Sequence, residues 1–240
     1  MACDQFYNEL GRKTIVTGHY GSGKTEFTVS LAMLLSRAMM LSKAMTQKVA
    51  IVDLDIVNPY FRSREQRELL KEAGISIYGS AFDFEVTAEL PALGATVRTP
   101  LEDTNCKVLV DVGGNDSGAL VLNQFSKYLT DDATILAIIN ANRPDTSEID
   151  GALEHITAIE RVTNLTISGI VNNTHLLRET TLEDIKKGHS FCTEICNITG
   201  KNLFCSCYPD GIIDPNDFTE IKGNLMPLGL YMRPTWLDKK

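Results

Sequence analysis

Gly18-His19-Tyr20-Gly21-Ser22-Gly23-Lys24-Thr25 decides how this chain of 240 residues is read. It follows the apolar run Thr14-Ile15-Val16-Thr17. It precedes a segment, Glu26 to about Met45, that carries Phe27, Leu31, Leu34, Leu35, Ala38 and Leu41 at helical spacing. Strand, glycine loop and helix in that order form the setting in which backbone cradles phosphate. Glycines let the chain curl close to the ligand, and the N–H groups converge on its oxygens. The following helix adds its positive N-terminal dipole. Lys24 is placed to reach the β- and γ-phosphates, and the Thr25 hydroxyl to ligate Mg²⁺. Gly21, Ser22, Gly23, Lys24, Thr25 and Glu26 are therefore the first candidate nucleotide-binding residues.

Two further apolar runs end in aspartate. Val49-Ala50-Ile51-Val52 closes on Asp53-Leu54-Asp55, and Val108-Leu109-Val110 closes on Asp111-Val112-Gly113-Gly114. Continuous β-branched runs suit strands buried on both faces of a parallel sheet. Open α/β sheets bind ligands at the carboxyl ends of such strands. Asp53 and Asp55, two apart, are expected to face one site, and Asp111 to hold a water on Mg²⁺. Gly114 makes 113–118 a candidate switch.

Strands are also expected at Ile75–Tyr78, Thr134–Ile139, Leu165–Val171 and Leu203–Tyr208, with helices over 117–129, 147–162 and 182–199. Asn58-Pro59 breaks the chain before a charged helix whose Arg62 and Arg64 read as a solvated face, the alternative being that one of them senses a phosphate or a partner. Residues 79–106 are expected to be irregular with a short helix near 87–93, a connector or a specificity segment. The stretch from 213 to 240, rich in Pro and Gly, is expected to wrap the surface. Alternation of strand and helix predicts a single domain with one doubly wound, mainly parallel sheet and helices on both faces.

A net charge of −8 argues against nonspecific nucleic-acid binding. No basic, apolar leader opens the chain and no run is long enough to span a membrane, so the expected setting is cytoplasmic, with reduced cysteines. Cys192, Cys196, Cys205 and Cys207 read first as small core residues. The alternative is that they converge on zinc or an iron–sulfur cluster.

Together these motifs resemble the MinD/ParA-type P-loop ATPases, the group that also includes nitrogenase iron protein and metal-centre insertion ATPases, over roughly residues 13–212. The resemblance implies ATP and Mg²⁺ as cofactors. It also implies Thr25, Asp53 and Asp111 at the metal, and Lys24 with Asp55 as catalytic residues, Asp55 positioning the attacking water. Asn140-Ala141-Asn142-Arg143-Pro144 looks like the family's proline-bearing loop. Asn172, ending Gly169-Ile170-Val171-Asn172, is similar to its base-contacting asparagine. Pro209 and Asp210 resemble the loop bordering adenine. The resemblance also implies an ATP-linked homodimer or another protein partner. His19 stands where the family carries a signature lysine, so the chain departs from the dimer mechanism there. The loop Asn172-Asn173-Thr174-His175 is not the guanine-reading N-K-x-D, which favours ATP. The expected activity is a slow, switch-like ATPase. Two alternatives are a ligase of the dethiobiotin-synthetase or cobyrinate-synthase type acting on a small carboxylate, and a nucleotide-gated binding module with little turnover.

Overall fold

The computed structural model describes residues 9–41, 47–55, 66–79, 97–129 and 132–232. Eight strands form one sheet: β1 (Lys13–Gly18), β2 (Lys48–Asp53), β3 (Ile75–Gly79), β4 (Cys106–Asp111), β5 (Ala133–Ile139), β6 (Gly169–Asn172), β7 (Asn202–Pro209) and β8 (Leu225–Leu228). Their order is β3-β2-β4-β1-β5-β6-β7-β8. Every neighbouring pair is parallel. The central strands are apolar on both faces because both faces are covered, the condition that all-parallel sheets impose.

Helices α1 (Lys24–Leu41) and α2 (Arg67–Glu72) lie on one face. Phe27, Leu31, Leu35 and Leu70 meet Val16, Ile51, Leu109 and Ile138 there. The opposite face carries α3 (97–102), α4 (Asp116–Ala119), which runs on as a 3₁₀ turn over Leu120–Tyr128, α5 (Ile149–Thr163) and α6 (Leu182–Thr199). Val97, Leu122, Phe125, Ile156 and Ile195 pack there on Ile15, Val52, Val110 and Ala137. The switch of face between Ile15 and Val16 is the two-residue period of a strand. Thr181 and Asp184 cap α6 reciprocally, the Thr181 hydroxyl accepting from Asp184 N and the Asp184 carboxylate accepting from Thr181 N. Among the described residues no helix is long and apolar enough to cross a membrane.

The 213–240 stretch is not wholly a surface wrap. Leu225–Leu228 adds β8 to the sheet beside β7, with Met226 and Leu228 buried. Pro227 and the flanking glycines concealed it. An edge strand tolerates a proline, because its outward side has no ladder bond to lose. The strand expected at 165–171 is shorter and shifted: β6 begins at Gly169 and extends through Asn172. Asn58-Pro59, Arg62, Arg64, the expected helix near 87–93 and the end of the chain from 233 lie outside the described residues.

Leu228 is fully buried. Leu228→Ala is expected to lower stability by about 2–5 kcal/mol, read as a fall in the denaturant midpoint. A midpoint equal to wild type would mean that this strand contributes nothing to the sheet.

Candidate nucleotide-binding site

The glycine loop sits at the carboxyl end of β1, between β4 and β5. Gly23 has φ +85°, and a side chain there would run into the Asn173 amide, so both the conformation and the space demand glycine. Lys24 is 5% exposed, and its ammonium donates to His19 O across the loop at 3.1 Å. Burial lowers its pKa, opposed by the charges of Asp111 and then Asp55. Gly114 meets the loop from the other side. A Cβ there would stand 2.8 Å from the Lys24 ammonium and from the Tyr20 backbone, so only glycine lets the 113–118 turn lie against the loop.

The three aspartates gather on the β2–β4 side. Asp53 and Asp111 are register partners on adjacent strands, which puts their side chains next to each other. Asp53 Oδ1 accepts from Asp55 N at 3.1 Å, and Leu54 N donates to Asp111 O at 2.8 Å, which fixes the turn carrying Asp55. Asp111 is 1% exposed, and neither of its oxygens has a close hydrogen bond. Burial and then the Asp53 charge push its pKa up to about 8, against the pull of Lys24 and the nearby Thr25 hydroxyl. A buried carboxylate with open lone pairs beside a second carboxylate suits a cation. Among the described residues no three His, Cys, Asp or Glu side chains stand close enough to hold an ion unaided. That arrangement fits Mg²⁺, which keeps several waters and takes few protein ligands besides phosphate oxygens.

The β5–β6 side is different. Asn173, fully buried, donates its amide N–H to Ser22 O at 2.7 Å. A carbonyl only accepts, so this bond orients the amide and leaves Asn173 Oδ1, which has no partner, as an acceptor. His175 Nδ1 accepts from Leu177 N at 3.2 Å, so the neutral ring carries its proton on Nε2. That Nε2–H is buried, without a partner, and near Gly23. Burial, and then the Arg143 charge, lower the His175 pKa to about 4. Arg143 reaches back from the loop after β5 and donates Nε–H to Gly21 O at 2.7 Å.

Asn172 does not face this site. Its amide N–H groups go to Ile185 O and Ser206 Oγ, both at 3.1 Å, and its Oδ1 accepts from Thr174 N. The asparagine beside the loop is its neighbour Asn173. The doublet itself was the available signal, and only the strand register tells the two apart. Glu26 also departs from expectation. Its carboxylate accepts from Tyr231 N at 2.9 Å and Met232 N at 2.8 Å, and from the Ser30 hydroxyl, so it ties down the segment after β8. Burial raises its pKa and these bonds oppose the rise. Pro209 ends β7, and Asp210 follows it as an exposed residue with its N–H on Leu228 O. β5 and β6 intervene between β1 and β7, a distance of about 14 Å at the usual strand spacing.

His19 stays within the loop's own framework. Its Nδ1 donates to Tyr20 O at 3.1 Å, its Nε2 lies 3.7 Å from Asp145, and its ring meets His155 edge-on. The four cysteines do not converge. Cys192 and Cys196 belong to the core on the α6 face, Cys205 and Cys207 to the core on the α1 face, and burial raises the pKa of Cys192, Cys196 and Cys207.

No protein-family model and no curated protein matches this chain. Solved structures do. The chain is similar to the signal recognition particle 54 kDa protein from Aeropyrum pernix in complex with GDP, with TM-score 0.51 and 20% identity, over 80% of this chain and 40% of that one. It is similar to FtsY from Thermotoga maritima, with TM-score 0.52 and 16% identity, over 80% of this chain and 59% of that one. Chloroplast FtsY from Physcomitrella patens gives TM-score 0.51 and 13% identity, covering 85% and 59%. The chain thus spans between 40% and 59% of the length of these proteins. At such identities the likeness establishes the fold, the three-layer α/β/α architecture of the P-loop nucleoside triphosphatases.

Asp111 ionises near pH 4 in an unfolded chain but at about pH 8 in the fold, so at neutral pH without a cation the fold must keep it protonated. Stability from this group is greatest in acid and declines as pH rises from about 4 to 8. Asp111→Asn, which mimics the protonated form, is therefore expected to raise the melting temperature by a few degrees at pH 7.5 without Mg²⁺. A melting temperature below wild type would contradict that reading. His175 runs the other way: its folded pKa lies below the unfolded value, so its contribution is full above about pH 6.5 and is lost as pH falls towards 4. His175→Gln is expected to flatten the fall in thermal stability over that interval.

Proposed function

We propose that this chain is a Mg²⁺-dependent ATP-binding protein and a slow ATPase that works as a nucleotide-driven switch of the MinD/ParA kind. The observation that carries the reading is the gathering of Lys24, Thr25, Asp53, Asp55 and Asp111 at the mouth of one glycine loop. In this reading the loop's N–H groups and the Lys24 ammonium hold the β- and γ-phosphates. The Thr25 hydroxyl ligates Mg²⁺, and Asp53 and Asp111 hold its water shell. Bound there, Mg²⁺ neutralises charge on the phosphate oxygens. Asp55 orients a water for in-line attack on the γ-phosphorus while the bond to the bridging oxygen of ADP breaks, giving ADP and phosphate. Lys24 stabilises the charge that moves onto those oxygens.

Adenine is favoured over guanine by the base-side loop. It reads Asn173-Thr174-His175-Leu176, with no carboxylate to accept from the N1–H and amino group of guanine. Asn173, rather than Asn172, is the asparagine proposed to meet the base, with Pro209 and Asp210 at its far edge. The switch would act through 113–118, whose Gly114 rests on Tyr20 and the Lys24 ammonium. Its output would be an ATP-linked homodimer or a protein partner docking on the exposed loop residue Tyr20. A cytoplasmic setting accords with this reading.

The test is ATP and GTP binding and turnover, with and without Mg²⁺, with light scattering in parallel. Lys24→Ala is expected to lose at least tenfold in ATP affinity or turnover; unchanged hydrolysis would refute the site. Asp55→Ala should bind ATP within a few-fold of wild type and lose 10²-fold or more in turnover. Equal losses in both would remove Asp55 from its assigned role. Tighter binding of GTP than ATP would overturn the adenine reading alone.

A further inference from the structure

We infer that Arg143 is a nucleoside clamp, its guanidinium covering the face of the purine whose phosphates occupy the glycine loop. The inference rests on the nucleotide-binding reading of residues 18–25 and adds a residue that the loop motif does not contain.

Three observations place it. The first is topology. The loop crowns β1, the acidic groups belong to β2 and β4 on one side, and β5 and β6 lie on the other. With the metal held on the acidic side and the terminal phosphate turned towards it, the nucleoside leaves across the β5–β6 side, where Arg143 stands.

The second is how firmly Arg143 is held there. Arg143 N donates to Asn140 O at 3.1 Å, and Thr146 N to Arg143 O at 3.0 Å. The Thr146 hydroxyl donates to Asn140 O, and Asn142 N to Asn140 Oδ1. Ala141 N donates to Thr174 Oγ1 at 3.0 Å, which fastens this turn to the loop holding Asn173 and His175. The side chain then lies along Gly21. The space a Cβ would take there is 3.3 Å from Arg143 Nε and 3.4 Å from its Cζ. One N–H is used on Gly21 O, and the residue is exposed, so a face of the guanidinium plane remains open to a ligand.

The third is that this side of the loop holds buried polar atoms without a hydrogen-bond partner. Asn173 Oδ1 and His175 Nε2, each in a residue more than nine-tenths buried, make no hydrogen bond. A purine offers edge donors and acceptors for groups of this kind and a π-face for the guanidinium. Arginine is the cation best suited to that face, because its flat, weakly hydrated group stacks on aromatic rings.

The experiment compares ATP with inorganic tripolyphosphate, both with Mg²⁺, by calorimetric titration of the intact chain. The proteins are wild type, Arg143→Ala and Arg143→Lys. Arg143→Ala is expected to weaken ATP binding about tenfold while leaving tripolyphosphate within twofold. Arg143→Lys keeps a charge and a donor for Gly21 O but has no plane, so it too should lose ATP affinity selectively. Parallel loss for both ligands, rescued by Arg143→Lys, would mean that the residue only braces the loop or pairs with phosphate, and would overturn the clamp. No change for either ligand would overturn it as well. Wild type that binds tripolyphosphate and ATP equally has no base contact for Arg143 to make, again against the clamp. Wild type that binds neither would overturn the nucleotide-binding reading itself.

Discussion

One buried ammonium facing buried carboxylates is the constraint around which this molecule is arranged. Lys24, Asp53, Asp55 and Asp111 are each at most 5% exposed. Charges so far from water are tolerated only when they compensate one another. Here the negative groups outnumber the ammonium, and burial, then the Asp53 charge, raises the pKa of Asp111. The fold imposes that imbalance through strand register, which sets Asp53 and Asp111 side by side. A divalent cation arriving with a nucleotide would correct it. The site is thus strained in its electrostatics rather than its backbone, and the ligand that relieves the strain is the one the loop is shaped to hold.

Much of this was legible in the sequence because the physics is local. Short apolar β-branched runs suit doubly covered strands, and an aspartate ending such a run falls at the ligand-binding edge. Positive φ at Gly21 and Gly23 is likewise a property of those residues alone. What was not legible depended on register or distance. Asn172 and Asn173 are chemically identical, and their roles separate only because consecutive strand residues face opposite ways. The irregular pairing of β6 with β7 between Ile170 and Val171 further decouples the visible apolar run from the true register. β8 was hidden by Pro227, a residue that argues against a strand except at an edge. Nothing local announces that Glu26 serves a segment two hundred residues away, or that Arg143 lies along Gly21.

The glycine loop divides the site into two chemistries. Towards β4 and β2 it is acidic and suited to metal and transferable phosphate. Towards β5 and β6 it is built of amide, imidazole and guanidinium groups, which suit a heterocycle. The loop lies between the two halves, bordered by Gly114 on one side and by Asn173 and Arg143 on the other. A ligand on either side would therefore bear on the same few peptide groups, which is where the proposed switch would act.

The bonds from Tyr231 and Met232 to Glu26 also order events during synthesis. Their partners are separated by 205 and 206 residues. At roughly 5–20 residues per second, the first turn of α1 waits on the order of ten seconds or more before those N–H groups leave the ribosome. Until then a carboxylate one residue from Thr25 lacks the partners that let it be buried. The loop helix is therefore made long before it is completed, and its first turn gains its last hydrogen bonds only with the segment after β8.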